Sequence, residues 1–310
     1  MVNVTKKKNR ISKNKISGWI FSYAFLAIPL VLFLLFYVYV NIDSFLLAFQ
    51  EIRLTGEREF VGLSNFKKFW KGMLDGTQIN VSFFNSIILY ACRLFIAMPL
   101  NIAWSWALFR GFRGAQAVRV LVMIPSIISA FVFSLVFKTF AGAPFQEVMI
   151  NLGVENFPNL IDTNTTIFGT MVFYSLWVSF ATGLIVYPNA MRGIDPALFE
   201  SAKIDGMETM LQELYYIVLP IIFPTISTFI ITGFSAIFTD SGPLMAFFMY
   251  SAPTETYTMG YFMVVQVFGQ SASTRGYPLA AAGGMMLTLI MGPLTILLRN
   301  FLEKISPTEG

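Results

Sequence analysis

The sequence predicts an all-α, polytopic membrane protein of about six transmembrane helices. Three observations carry that expectation. Hydrophobic residues make up 56% of the 310-residue chain and charged residues 12%, against about a quarter charged in soluble domains. A core of this length does not need that much apolar surface, so the solvent for the surplus is lipid. The apolar residues also gather into runs of about 20, the length that crosses a hydrocarbon core as a helix. In lipid such runs must be helical, because backbone amides find no water partner there.

The elements follow in order. Lys6, Lys7, Lys8, Arg10, Lys13 and Lys15 lie in a basic stretch, 1–17, ahead of an uncharged run from Ile16 to Ile42. A secretory signal starts similarly, but its apolar core is about 7–15 residues and a small-residue cleavage site follows. This run is longer and no such site follows, so it reads as an uncleaved first span, 18–42. Further spans are expected at 81–109, which contains Arg93, and at 118–137, 166–190, 217–239 and 278–298. Together they form one membrane domain, 18–300, with a tail at 301–310. The segment from Ser241 to Arg275 has apolar pieces broken by Pro243, Pro253, Glu255 and several glycines. It reads as short helices at the outer face, or as a seventh span.

Basic residues in short loops set orientation. With the N-terminus inside, the cytoplasmic face holds the N-terminal cluster, Arg110, Arg113, Arg119, Arg192, Lys203, Arg299 and Lys304. The outer face holds Arg53, Arg58, Lys67, Lys68, Lys71, Lys138 and Arg275. The bias places both termini in the cytoplasm of a multi-pass cell-membrane protein.

Composition excludes several chemistries. There is no histidine and one cysteine, Cys92. That rules out an intrachain disulfide, Cys/His zinc sites and Ser-His or Cys-His catalysis. No GxxxxGK[ST] string is present, so the chain has no phosphate loop of this kind. A net charge of +4, clustered in sequence, does not point to nucleic acid.

The loop 192–220 carries the strongest signal. Asp195 followed by Pro196 is a helix start, an Asp N-cap with Pro at the first helical position. A short helix from Pro196 to about Ile204 then ends at Asp205-Gly206, where glycine can take the left-handed C-cap conformation. A second helix, about Glu208 to Val218, leads to Leu219-Pro220 and the fifth span. Two readings fit this helix-turn-helix: an amphipathic loop resting on lipid headgroups, or an apolar knob that docks in a groove of a cytoplasmic partner.

The string resembles the EAA loop of binding-protein-dependent ABC import permeases, and the carbohydrate branch closely. Glu200, Ser201, Ala202 and Gly206 match the Glu-Ala-Ala-three-residues-Gly pattern, with Ser201 in place of an alanine. Asp195, Ala197, Leu198 and Phe199 ahead of the glutamate, and Asp205 before the glycine, also match. Leu219-Pro220 closes the pattern after a spacer one residue longer than usual. Phe60-Val61-Gly62-Leu63-Ser64-Asn65-Phe66 is similar to the external segment of maltose-, lactose- and glycerol-phosphate-type permeases, in the member usually encoded first of each pair.

The resemblance implies a type I importer permease fold and a non-catalytic subunit forming half of a translocation pathway. It implies a second permease subunit in a heterodimer, a cytoplasmic ABC ATPase dimer, an extracytoplasmic solute-binding protein, and a sugar or oligosaccharide as solute. ATP and Mg would be bound by the ATPase, with no cofactor on this chain. The loop would sit in a cleft of the ATPase, Glu200 facing a basic partner residue. Alternatives are an importer for glycerol phosphate, an amino acid or a peptide, or a secondary transporter, for which no internal repeat is visible.

Polar residues inside spans are the candidates for a solute cavity. Arg93 must face protein or water, because a charge at the bilayer centre is costly. It lines the cavity, pairs structurally, or snorkels outward. Asn85, Tyr174, Ser179 and Tyr187 are further candidates, with interhelical bonding as the alternative role. Trp19, Tyr23, Tyr37, Tyr39, Trp70, Trp104 and Trp106 suit interfacial anchoring.

Overall fold

The computed structural model describes residues 13–53, 55–162, 164–269 and 276–306. Lys6, Lys7, Lys8, Arg10 and Arg275 lie outside the described residues, as do residues 307–310.

Among the described residues, five helices are long and apolar enough to cross a membrane. The first, α1 (13–47), contains the candidate span Ser22–Leu47, none of whose most apolar window is buried within the chain. The others are α3 (Gln78–Arg110), α7 (Asn164–Met191), α9 (Met210–Ser235) and α12 (Gly276–Ile305). The expected third span is not one helix. The chain forms α4 (Ala115–Ile127), breaks at Ser129 in an extended conformation, and resumes as α5 (Ala130–Ala141). A short α6 (Ala143–Asn151) follows.

Two long helices accommodate proline by widening one turn. Segments Arg93–Ala97 in α3 and Leu214–Val218 in α9 are π-helical. They contain Phe95 and Tyr216, four residues before Pro99 and Pro220. A proline ring clashes with that carbonyl and lacks the amide that would bond it, and a π turn relieves both faults. The helix therefore runs through Leu219-Pro220 rather than restarting there.

Between α1 and α3 lie β1 (Gln50–Ile52), β2 (Arg58–Phe60) and α2 (Ser64–Leu74). The antiparallel hairpin sets Glu51 opposite Glu59, a like-charge pair that destabilises unless compensated. Arg53 bonds Glu59 at 2.6 Å and Lys68 lies 3.5 Å from Glu51. Buried Asn65 donates to the carbonyls of Ala48 at 3.0 Å and Gln50 at 2.7 Å, stapling α2 to the hairpin.

Ser241 to Gly269 forms short helices folded onto the bundle: α10 (Leu244–Phe248), a 3-10 turn at Thr254–Thr256, and α11 (Met259–Phe268). None is long enough to cross a membrane. Leu244, Met259, Tyr261 and Phe262 join Phe69, Leu89 and Met171 in one apolar cluster. A second gathers Ile102, Trp106, Tyr187, Met191, Phe199 and Val218. Along α3 the first meets Leu89 and the second Ile102 and Trp106. The clusters therefore close opposite ends of the bundle, with a cavity between them.

Candidate functional site

That cavity, of about 350 Å³, is walled by α3, α7 and α9. Its charged lining residues are Arg93, on the π turn of α3, and Asp240, just beyond α9, and they form an ion pair. The Asp240 carboxylate is fixed from its other side, where the Gly242 amide donates to Oδ1 at 2.7 Å. Thr258 Oγ1 donates to the Asp240 carbonyl at 3.1 Å. An arginine in a span needs a partner or water, and here it has a carboxylate held by backbone. Asp240 stood in the sequence as a polar residue near a span end, with nothing to indicate its partner.

The rest of the lining is mostly apolar, including Leu89, Leu94, Met98 and Phe229, interspersed with hydroxyl and amide groups. Asn101 Nδ2 lies 3.4 Å from both the Ser179 carbonyl and Ser179 Oγ. Gly183 makes room for that side chain, since a Cβ there would stand 2.7 Å from Asn101 Cγ. Asn101 and Ser175 line the cavity, and their Oδ1 and Oγ atoms are buried with no hydrogen-bond partner among the described residues. Tyr187 packs on Phe229 with ring centroids 5.4 Å apart.

Of the five expected cavity residues, Arg93, Ser179 and Tyr187 line this space. The structure places the other two elsewhere. Asn85 donates to the carbonyls of Glu255 at 2.8 Å and Tyr257 at 3.0 Å, holding the short-helix segment against α3. Tyr174 is buried, with its hydroxyl 2.7 Å from Ser134 Oγ of α5. Both are interhelical ties.

At the other end of the bundle, α8 (Pro196–Ile204) protrudes. Asp195 caps it, accepting from the Ala197 amide at 2.9 Å. The helix closes in a Schellman turn: the Met207 amide bonds the Ala202 carbonyl at 2.9 Å, and Gly206 has φ +90°. That conformation strains any residue with a Cβ. α9 then begins with a Thr209–Gln212 capping box. Leu219 and Pro220 lie within α9, half-buried.

α8 has two faces. Asp195, Ala197, Leu198, Glu200, Ser201, Asp205 and Gly206 are exposed and Ala202 is half-buried. Ile204 is 88% exposed and Leu211, across the turn, 75%. Phe199 points inward and stacks on Trp106 of α3, centroids 5.7 Å apart. Arg110, at the end of α3, lies over both rings and pairs with Glu213 of α9 at 2.7 Å. Trp106 is thus a core residue, with its indole donating to the Met210 carbonyl at 3.3 Å.

No protein-family model matches the chain. It is 24% identical over 286 residues to the multiple sugar-binding transport system permease protein MsmF of Streptococcus mutans, covering 92% of this chain and 94% of that protein. It is 27% identical to the arabinooligosaccharides transport system permease protein AraP of Bacillus subtilis, over 68% of this chain and 66% of that protein. A chain of a bacterial ABC transporter involved in importing the acidic polysaccharide alginate superposes with a TM-score of 0.76, at 20% identity, covering 95% of this chain and 98% of that one.

Proposed function

We infer that this chain is a membrane permease subunit of the sugar ABC importer class, and that it carries a sugar or oligosaccharide through the α3–α7–α9 cavity. The observation that supports this most is similarity to a sugar transport permease along nearly the whole of both chains. The importer permease fold agrees with it. A mostly apolar cavity that also holds hydroxyls, an amide and aromatic rings, with its two charges paired, suits a neutral sugar, whose ring faces are apolar and whose edges carry hydroxyls. Aromatic faces pack on sugar rings while the polar side chains of the lining bond hydroxyl groups.

In this reading the chain performs no catalysis and holds no ATP or Mg, and both termini are cytoplasmic. The energy comes from a separate ATPase dimer that receives the exposed face of α8, with Glu200 and Ser201 at its centre. A second permease subunit completes the pathway, and a solute-binding protein delivers sugar from outside. α8 is stiff because it is capped at both ends, and an apolar, exposed turn at Ile204 and Leu211 suits insertion into a groove. The test is to express the chain with its partner permease, ATPase and binding protein in vesicles and follow labelled oligosaccharide. ATP-dependent uptake that needs all four components is expected. Uptake by this chain alone would overturn the reading.

A further inference from the structure

We propose that Arg110 and Glu213 form a latch that makes α8 move as one body with two walls of the cavity. The proposal rests on the importer reading above. It concerns two positioning residues that touch neither solute nor, in that reading, the ATPase.

Apart from this pair, α8 is weakly held. Phe199 is its buried residue. At one end it joins α7 through the turn at Arg192 and Gly193, and at the other it joins α9 through the left-handed turn at Gly206. Both joints are short and glycine-containing, so they transmit position poorly. A force applied at Glu200 reaches the spans through side-chain contacts or is lost in the turns.

Those contacts converge on one pair. Arg110 sits on the last turn of α3, 5.8 Å above the Phe199 ring and 5.4 Å above the Trp106 ring. Its guanidinium donates to Oε1 of Glu213, whose side chain is 5% exposed, at 2.8 Å. Glu213 lies in the first turn of α9, where the helix dipole also favours its negative charge. One planar cation therefore holds the α8 aromatic ring on one side and the start of α9 on the other. α3, which carries Arg110, and α9 bring Arg93, Asn101, Phe229 and Thr232 to the cavity. Displacement of α8 is thereby imposed on α3 and α9 together, which alters the cavity between them.

A hydrogen-bonded ion pair with its carboxylate buried suits this task. Its members cannot separate without stranding the buried Glu213 carboxylate, which favours a junction that stays closed. Trp106, stacked on Phe199 and bonded to the Met210 carbonyl, backs the same junction.

The experiment uses the reconstituted four-component importer and compares Arg110→Gln, Glu213→Gln, the double variant and the conservative Glu213→Asp. The double variant matters because it removes both charges and leaves none stranded. Three quantities are read: co-purification of the ATPase, basal ATP hydrolysis, and the ratio of hydrolysis with sugar-loaded binding protein to basal hydrolysis. The double variant is expected to co-purify with the ATPase and keep basal hydrolysis within twofold of wild type, while the stimulation ratio falls at least fivefold. Glu213→Asp should recover at least half of that ratio. A double variant with a wild-type ratio overturns the proposal, and so does one that fails to assemble, since the pair then serves folding alone. Failure of the importer reading looks different: the wild-type chain would neither hold an ATPase nor respond to binding protein.

Discussion

Arg93 of α3 and Asp240 beyond α9 bridge the cavity as an ion pair, and each side chain keeps about a third of its surface exposed, 36% and 34%. The pair cancels the charge of the space it faces. It also ties α3 to the turn that Thr258 and Gly242 brace.

Removing one member strands the other. Asp240→Ala is expected to cost about 1–3 kcal/mol, less than the roughly 3–5 kcal/mol of a fully buried pair because water still reaches these groups. The double variant Arg93→Gln/Asp240→Asn should recover most of that loss. Thermal unfolding of the detergent-solubilised protein measures both, and equal losses in the single and double variants would refute the coupling.

At Gly206 the prediction separates backbone strain from crowding. A Cβ there meets nothing within 4 Å, yet φ is +90°. Gly206→Val should therefore abolish uptake through strain of about 1–3 kcal/mol in the turn, while Gly206→Asn, which tolerates left-handed conformations better, should retain a measurable fraction. Equal activity of the two variants in an uptake assay would contradict this.

Much of this region was legible because capping is local. Asp195-Pro196 and Asp205-Gly206 announce the bounds of α8 within a few residues, and the helix found is Pro196–Ile204. The start of α9 was less legible. The second helix begins at Met210 after a Thr209 cap, and continues through Pro220 because a π turn absorbs the proline. Nor does an apolar run reveal where it breaks, so 118–137 read as one span and folds as two helices about Ser129. Polar residues within spans show their chemistry but not their partners. Asn85 and Arg93 lie within one helix, yet the first bonds carbonyls 170 and 172 residues away and the second lines the cavity. Trp106 was expected at the interface by residue type, and its 3% exposure reflects the ring and cation that cover it.

Close packing at the hairpin end gives a different kind of test. A Cβ on Gly283 of α12 would lie 2.4 Å from Phe69 Cε2 and 2.7 Å from Met263 Cε. Gly283→Ala should destabilise by about 1–3 kcal/mol through overpacking. Phe69→Leu in the same chain should offset part of that cost, a non-additivity that thermal unfolding of the three variants would reveal.

Asn65 joins the hairpin to α2 through two hydrogen bonds from a side chain 3% exposed. Asn65→Ala leaves two carbonyls short of a donor and is expected to cost about 1–3 kcal/mol. Because the loss is local, limited proteolysis should cut near the hairpin at residues 50–60 faster than in wild type, with the α8 region unchanged. An unaltered cleavage pattern would show that the staple is dispensable.

The central claim is that the exposed face of α8 seats in a separate ATPase. It is tested most directly by cross-linking a single thiol at Ser201→Cys, in a chain where Cys92 is replaced by serine, within the assembled importer. A cross-link to the ATPase subunit is expected, with a yield that changes when ATP is bound. A thiol that stays free of the ATPase in the active complex, with or without ATP, would contradict it.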